Sequence, residues 1–254
     1  MPADAIVEVK SVGKIYETGV EALAHIDVEL PRGRLSTLLG PSGCGKTTLL
    51  KIIAGLISPS SGEVWVKGKK VDGPGAERAF VFQDFALLPW ANVLRNVAFG
   101  LELRGLPKEE RDKIARQHIA EVGLERFETS YPHQLSGGMR QRVGLARALT
   151  VDADIILMDE PFSSVDEQTR RKFQEELLDL LRHKNKSVIF VTHSIEEAAY
   201  LSDRIILLSP RPGTISKIIQ PGIERDGRNP DDIRRDKNYL DTVDEIWQIL
   251  KRYV

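Results

Sequence analysis

The chain has 254 residues, 41% of them hydrophobic, enough to bury the core of one or two compact units. Lysine and arginine total 36 against 37 aspartates and glutamates, a formal net charge of −1, which argues against a dedicated nucleic-acid binder because such proteins carry a basic excess. The single cysteine, Cys44, excludes an intrachain disulfide, Met1 to Ala5 do not read as a signal peptide, and no apolar run approaches the roughly 18 residues of a spanning helix.

In chain order, residues 6–9 alternate apolar and polar as a half-buried strand does, and 28–30 continue the pattern. Residues 35–39 read as a strand running into a glycine-rich turn, and 49–56 as a helix ending near Gly55. Residues 64–66, followed by Lys67-Gly68-Lys69, give a strand and a turn. From about 93 to 149 the pattern is helical, with Ile114, Ile119 and Val122 among the apolar residues recurring at spacings near three and four. Strand and helix then alternate: a buried-type strand at 154–158, an amphipathic helix at 168–181, a strand at 187–191, a helix at 195–201 and a strand at 204–208. Such alternation predicts a parallel sheet covered by helices. Residues 225–228 read as a solvated loop. Leu240, Val243, Trp247 and Leu250 stand at helical spacing and predict a closing helix packed on its own domain.

The turn after residues 35–39 is Gly40-Pro41-Ser42-Gly43-Cys44-Gly45-Lys46-Thr47, which fits G-x-x-x-x-G-K-[ST] without deviation. Glycines let the backbone curl so that its N–H groups face phosphates, and the following helix N-terminus adds partial positive charge. Lys46 is expected to reach the β- and γ-phosphates of ATP, Thr47 to place its hydroxyl on Mg²⁺, and Thr48 to contact the α-phosphate. Cys44 fills a free position of this loop. A helix N-terminus lowers a thiol pKa, as a nucleophile would need, but a free position of the loop carries no chemistry; Cys44 is expected instead to be a modification hot spot, where alkylation blocks ATP and bound ATP protects the thiol.

The apolar run Ile155-Ile156-Leu157-Met158 ends in Asp159-Glu160. Beside a phosphate loop, Asp159 is expected near the metal, acting through a bound water, and Glu160 as the general base on the attacking water. Ser136-Gly137-Gly138 then opens a helix, a second anion-binding N-terminus in the same chain.

With Leu135 before it and Met139-Arg140-Gln141-Arg142 after it, that turn resembles the signature of the ABC ATPase family, and the resemblance runs over nearly the whole chain. It implies an α/β fold: a P-loop ABC ATPase core at about 1–83 and 150–222 with an antiparallel β subdomain, an inserted helical subdomain at 84–149 carrying the signature, and a short helical extension at 223–254. It also implies that Tyr16 stacks on adenine, and that Gln83 senses Mg²⁺ and the attacking water. Ser163-Ser164-Val165-Asp166 looks like the family's D-loop, which implies that Asp166 crosses to a partner. The Ser164-Val165 pair departs from the Ala-Leu more usual in the family. The resemblance further implies that His193 contacts the γ-phosphate. Two ATP-binding subunits, simplest as a homodimer, then enclose ATP, each phosphate loop facing the partner's Ser136-Gly137-Gly138.

A lone nucleotide domain resembles the separate subunits of bacterial importers. Gly73-Pro74-Gly75-Ala76-Glu77-Arg78, Phe85 to Val93, Asn96 to Gly100, Tyr131-Pro132-His133-Gln134 and Ser209 to Ile215 look like the nitrate/sulfonate/taurine group. The implied partners are transmembrane permease subunits, with Leu88-Pro89-Trp90 near their docking cleft, and indirectly a periplasmic or lipoprotein solute-binding protein. The implied place is peripheral, on the cytoplasmic face of the membrane. The rival expectations are a non-hydrolysing, nucleotide-gated regulatory module and the ATPase of an exporter.

Overall fold

The structure is a computed structural model, and it describes residues 5–163, 166–184, 186–225 and 227–253. The chain forms two compact units, residues 1–75 with 185–254 and residues 76–184.

The first unit holds two sheets. In one, β1 (Ala5–Ile15), β2 (Glu21–Pro31), β4 (Ser61–Val66) and β5 (Lys69–Lys70) pair antiparallel in the order β2-β1-β4-β5. Shifts of register interrupt the β1–β2 ladder, where Ser11 and His25 both take positive φ. The other sheet contains β3 (Leu35–Leu39), β8 (Ser187–Thr192), β9 (Arg204–Leu208) and β10 (Ile215–Ile219) in the order β10-β9-β3-β8. β3 runs parallel to β8 and β9, and β10 is antiparallel to β9. Every residue of β3 and β8 is buried, as expected of parallel strands covered on both faces.

Helix α1 (Lys46–Ala54) follows β3, and α6 (Ile195–Leu201) follows β8. Near the end of the chain come α7 (Pro230–Arg234) and α8 (Lys237–Leu250). Leu39, Ile195, Ala198, Ile205, Leu207, Ile219 and Ile246 form one buried cluster, with Val243, Ile249 and Leu250 packed against it. At roughly 1.5–3 kcal/mol for each large apolar side chain buried, this cluster ties α8 to its own unit. The expected closing helix is there, but its buried face differs from the expected one. Tyr239, Thr242 and Ile246 point inward, whereas Leu240 and Trp247 are exposed.

The second unit contains the parallel pair β6 (Arg78–Val81) and β7 (Ile155–Asp159). Its helices are α2 (Val93–Leu103), α3 (Lys108–Glu121), α4 (Gly137–Thr150) and α5 (Glu167–Lys184). Each of α2, α3 and α4 packs on the other two. No helix among the described residues is long and apolar enough to cross a membrane.

The loop expected to be solvated at 225–228 is anchored instead. Arg225 is 7% exposed, and its guanidinium donates to the carbonyls of Ala199, Tyr200, Ser202 and Ile223. Three of these close the end of α6, whose last carbonyls have no partner within the helix. Asp203 balances the charge at 3.5 Å.

Candidate functional site

In the first unit β3 runs into the glycine-rich turn and α1 opens at Lys46. Gly45 precedes that helix with φ of 101°, a left-handed conformation that glycine adopts at little cost. A Cβ there would fall 2.7 Å from the Ala22 carbonyl oxygen and 2.6 Å from Leu23 Cδ2. The N-cap residue, Gly45, has no side chain with which to cap α1, and the first turn of the helix carries partial positive charge toward the loop. Gly213 braces the turn from behind. Its N–H donates to Ala22 O and its carbonyl accepts from Ala24 N, both at 3.0 Å, and a Cβ on it would stand 2.1 Å from Cys44 O. Sequence reading placed Gly213 only within a longer segment; its pairing with residues 22–24 carried no local signal.

Lys46 is buried, and its ammonium donates to the carbonyls of Gly40 (2.8 Å) and Pro41 (2.9 Å). Thr48 Oγ1 and Tyr16 OH lie 3.0 Å apart, and Lys14 Nζ stands 5.4 Å from the Tyr16 ring centroid. Ser42 and Gly43 are exposed. Cys44 is 1% exposed. Burial pushes its thiol above the ordinary value, against the pull of the Lys46 ammonium. This corrects the expected modification hot spot: helix position lowers a thiol pKa, but here burial outweighs it.

His193, exposed, sits in the turn between β8 and α6. Its neighbours fix that turn. Buried Thr192 donates its hydroxyl to the buried Glu197 carboxylate and accepts from Ser194 N–H at 3.0 Å, while Ser194 Oγ accepts from Glu197 N–H at 3.2 Å. Thr192 and Glu197 were not foreseen as supports.

In the second unit Gln83 follows β6, and Asp159, 4% exposed, ends β7. Glu160 has φ of 46°, a left-handed conformation that costs a non-glycine residue on the order of 1–3 kcal/mol. The Ser163 amide (3.2 Å) and hydroxyl (3.0 Å) both donate to the Glu160 carbonyl and hold it there. Gln83 Nε2 donates to Glu160 Oε2 at 3.5 Å, the long end of the hydrogen-bond range. Ser136 caps α4, its Oγ accepting from Met139 N–H at 3.3 Å, with Gly137 and Gly138 in the first turn. Asp166 precedes α5 and accepts from Thr169 N–H at 3.0 Å, which holds its carboxyl below the usual range. Ser164 and Val165 lie outside the described residues.

Tyr16, residues 40–48 and His193 therefore belong to the first unit, and Gln83, Ser136 to Gly138, Asp159, Glu160 and Asp166 to the second. The turn of the first unit fits a polyphosphate: a helix N-terminus with its partial positive charge, a glycine where a Cβ would collide, and an ammonium held by carbonyls at its centre.

A phosphate loop, an acidic strand end and a capped Ser-Gly-Gly helix in one α/β chain define an ABC-type ATPase, and residues 23–163 match the family model described as ABC transporter. The chain belongs to the ABC transporter family, as an ATP-binding subunit. It is 51% identical over 248 residues to an uncharacterized ABC transporter ATP-binding protein of Methanocaldococcus jannaschii, covering 96% of this chain and 91% of that one. It is 45% identical over 246 residues to the taurine import ATP-binding protein TauB of Pseudomonas syringae, covering 95% and 94%. Among solved structures it is similar to the ATP-binding cassette MJ0796, dimeric in a post-hydrolysis state with ADP and Pi, at TM-score 0.76 and 34% identity over 84% of this chain and 98% of that one.

Proposed function

We propose that this subunit hydrolyses ATP to power uptake of a small solute of the nitrate, sulfonate or taurine kind through separate permease subunits. The observation that carries this reading is identity of 45% to 49%, over most of the chain, with taurine import ATP-binding proteins of several bacteria. Support for a membrane partner comes from Trp90, which is 69% exposed beside half-buried Leu87 and Leu88. The subunit then works at the cytoplasmic face of the membrane, and a solute-binding protein delivers the solute on the far side. Residues 84–149 serve as the helical subdomain that carries the signature, 1–83 and 150–222 as the nucleotide core, and 223–254 as a short C-terminal extension.

In this reading Tyr16 carries adenine, residues 40–48 cradle the phosphates, and Lys46 leaves its loop carbonyls for the phosphate oxygens. Glu160 takes the proton of the attacking water, with Gln83 beside it, and His193 steadies the γ-phosphate side. Thr47, Asp159 and Gln83 are hydroxyl, carboxylate and amide oxygens, the hard donors that Mg²⁺ prefers. When bound, the ion neutralises phosphate charge as the terminal bond breaks. Ser136, Gly137, Gly138 and Asp166 face a second copy. The Ser136 hydroxyl can do this while capping α4, because accepting from Met139 N–H leaves its proton to donate.

The test compares wild type with Glu160→Gln. Loss of a general base costs about 10²–10⁴-fold in kcat, so hydrolysis by the variant is expected to vanish while ATP still binds. Equal rates in both proteins would show that Glu160 is not the base, and no hydrolysis by either, even with the permease subunits present, would favour the non-hydrolysing nucleotide-gated module. Solute-loaded binding protein is expected to stimulate the ATPase of the assembled importer; stimulation by a solute on the cytoplasmic side would indicate an exporter.

A further inference from the structure

The segment that follows Gln83 is held from two helices. Phe85 and Ala86 both take left-handed φ, 61° and 41°, although neither is glycine. Arg147 of α4 spans them, Nη2 donating to Phe85 O at 2.5 Å and Nη1 to Ala86 O at 2.7 Å. A planar guanidinium matches two adjacent acceptors as an ammonium cannot. The Phe85 side chain is buried in contact with Gly144, one turn earlier on the same face of α4, where a Cβ would come within 3.5 Å of Phe85 Cβ. Asp84 Oδ1 accepts from Ala86 N–H at 3.2 Å and completes the turn. Farther along, fully buried Asn96 of α2 accepts from Leu88 N–H at 2.8 Å and donates to the carbonyls of Leu88, Ala91 and Asn92.

Arg147 is thus a cation committed to backbone carbonyls. Burial pushes its guanidinium below the ordinary value, with Asp84 opposing that shift. A surface arginine placed for solubility would have neither feature. Two residues upstream of its first acceptor stands Gln83, whose amide reaches Glu160 only at 3.5 Å. A small change in the 84–86 turn moves that amide within or beyond hydrogen-bond range.

We propose that Arg147 is the positioning residue of the Gln83 loop: its fork holds the left-handed Phe85–Ala86 turn and thereby sets the distance from Gln83 to Glu160. Arg147 sits on the helix that Ser136 caps, so the same helix carries the signature turn at one end and the clamp on the Gln83 loop along its length. The role in hydrolysis rests on the reading of Gln83 and Glu160 given above; the clamp itself does not.

The experiment compares wild type, Arg147→Lys and Arg147→Ala in the full-length chain. Backbone hydrogen exchange in the 84–88 segment is expected to rise in both variants, while exchange along β7 and α3 stays at the wild-type level. The kcat for ATP is expected to fall about tenfold or more with KM within about twofold, because geometry is lost rather than ground-state binding. Free guanidinium in the millimolar range is expected to restore part of the Arg147→Ala rate, and methylammonium at equal concentration is not. If Arg147→Ala does not fold, Arg147→Lys keeps the stem and charge and removes only the fork. Unchanged exchange at 84–88, unchanged kcat in a variant with raised exchange, or KM rising in step with the fall in kcat would each overturn the proposal. If wild type itself hydrolyses no ATP, the catalytic reading fails separately, and the exchange comparison still decides whether Arg147 holds the turn.

Discussion

Lys46 was legible from spacing alone, because only one residue type at that offset from the glycines serves a phosphate. Where its ammonium rests was not legible, since its acceptors are carbonyls set by the fold of the turn. Cys44 was misjudged for a related reason. Its place before a helix is written in the motif, but its burial depends on chain 169 residues away in sequence, around Gly213. A thiol with a raised pKa is mostly protonated at neutral pH, and only the thiolate attacks. Alkylation of folded protein by iodoacetamide at pH 7.5 is therefore expected to run at least about tenfold slower than with free cysteine, and to keep rising with pH above the usual thiol value near 8.5. Full-speed labelling of the folded chain at pH 7.5 would sink this. Arg147, Asn96 and Arg225 were invisible as supports for one common cause. Each bonds mainly to carbonyls, which carry no residue identity, so no partner is visible in the sequence.

Elements were most legible where burial is complete. The expected strands at 35–39 and 204–208 and the helix at 195–201 match β3, β9 and α6. Helix α1 opens at Lys46 rather than at 49, because the glycine turn supplies its start and the first apolar residue comes a turn later. β6 and β10 were not foreseen. They are short and partly polar, and pairing, not pattern, makes them strands. The end of the chain shows the limit of periodicity: the spacing of Leu240 and Trp247 is helical, but they mark the outer face of α8. What fixes the start of that helix is Asp236. It accepts from Asn238 N–H at 2.8 Å and from Arg228 Nη1 at 2.7 Å. The Arg228 guanidinium is the main reason its carboxyl sits below the usual value. A folded-state value below the unfolded one gives stability that is present above the unfolded value, about 3.9, and is lost as pH falls through the folded value. Asp236→Asn is expected to lower Tm at neutral pH and to converge with wild type at acid pH, once pH has fallen through the lowered folded-state value and the wild-type carboxyl is also protonated. A Tm difference of the same size at both pH values would assign the effect to packing instead.

At the scale of the whole molecule one chain contains one phosphate loop and one Ser-Gly-Gly helix end, and the proposed mechanism uses the second against the phosphates of another copy. This separates two kinds of stabilisation by ATP. Binding to a single chain adds about 2.7 kcal/mol at a hundredfold excess over Kd, or several degrees of Tm for a chain of this size, whatever the protein concentration. A sandwich of two copies adds a dependence on protein concentration, because unfolding then also separates the copies. In Glu160→Gln with Mg²⁺ and ATP, Tm is expected to rise further with each tenfold increase in protein, and sedimentation is expected to show a dimer. Without ATP neither is expected. The decisive control is Ser136→Asp in the same background. Aspartate caps a helix as well as serine does, so α4 keeps its start. It also sets a negative charge where the partner's γ-phosphate would sit, and like charges in a water-poor interface repel strongly. ATP is then expected to raise Tm by the single-chain amount with no concentration dependence and no dimer. If Ser136→Asp dimerises as readily as its parent, Ser136 does not face phosphate and its role in this chain is only to cap α4.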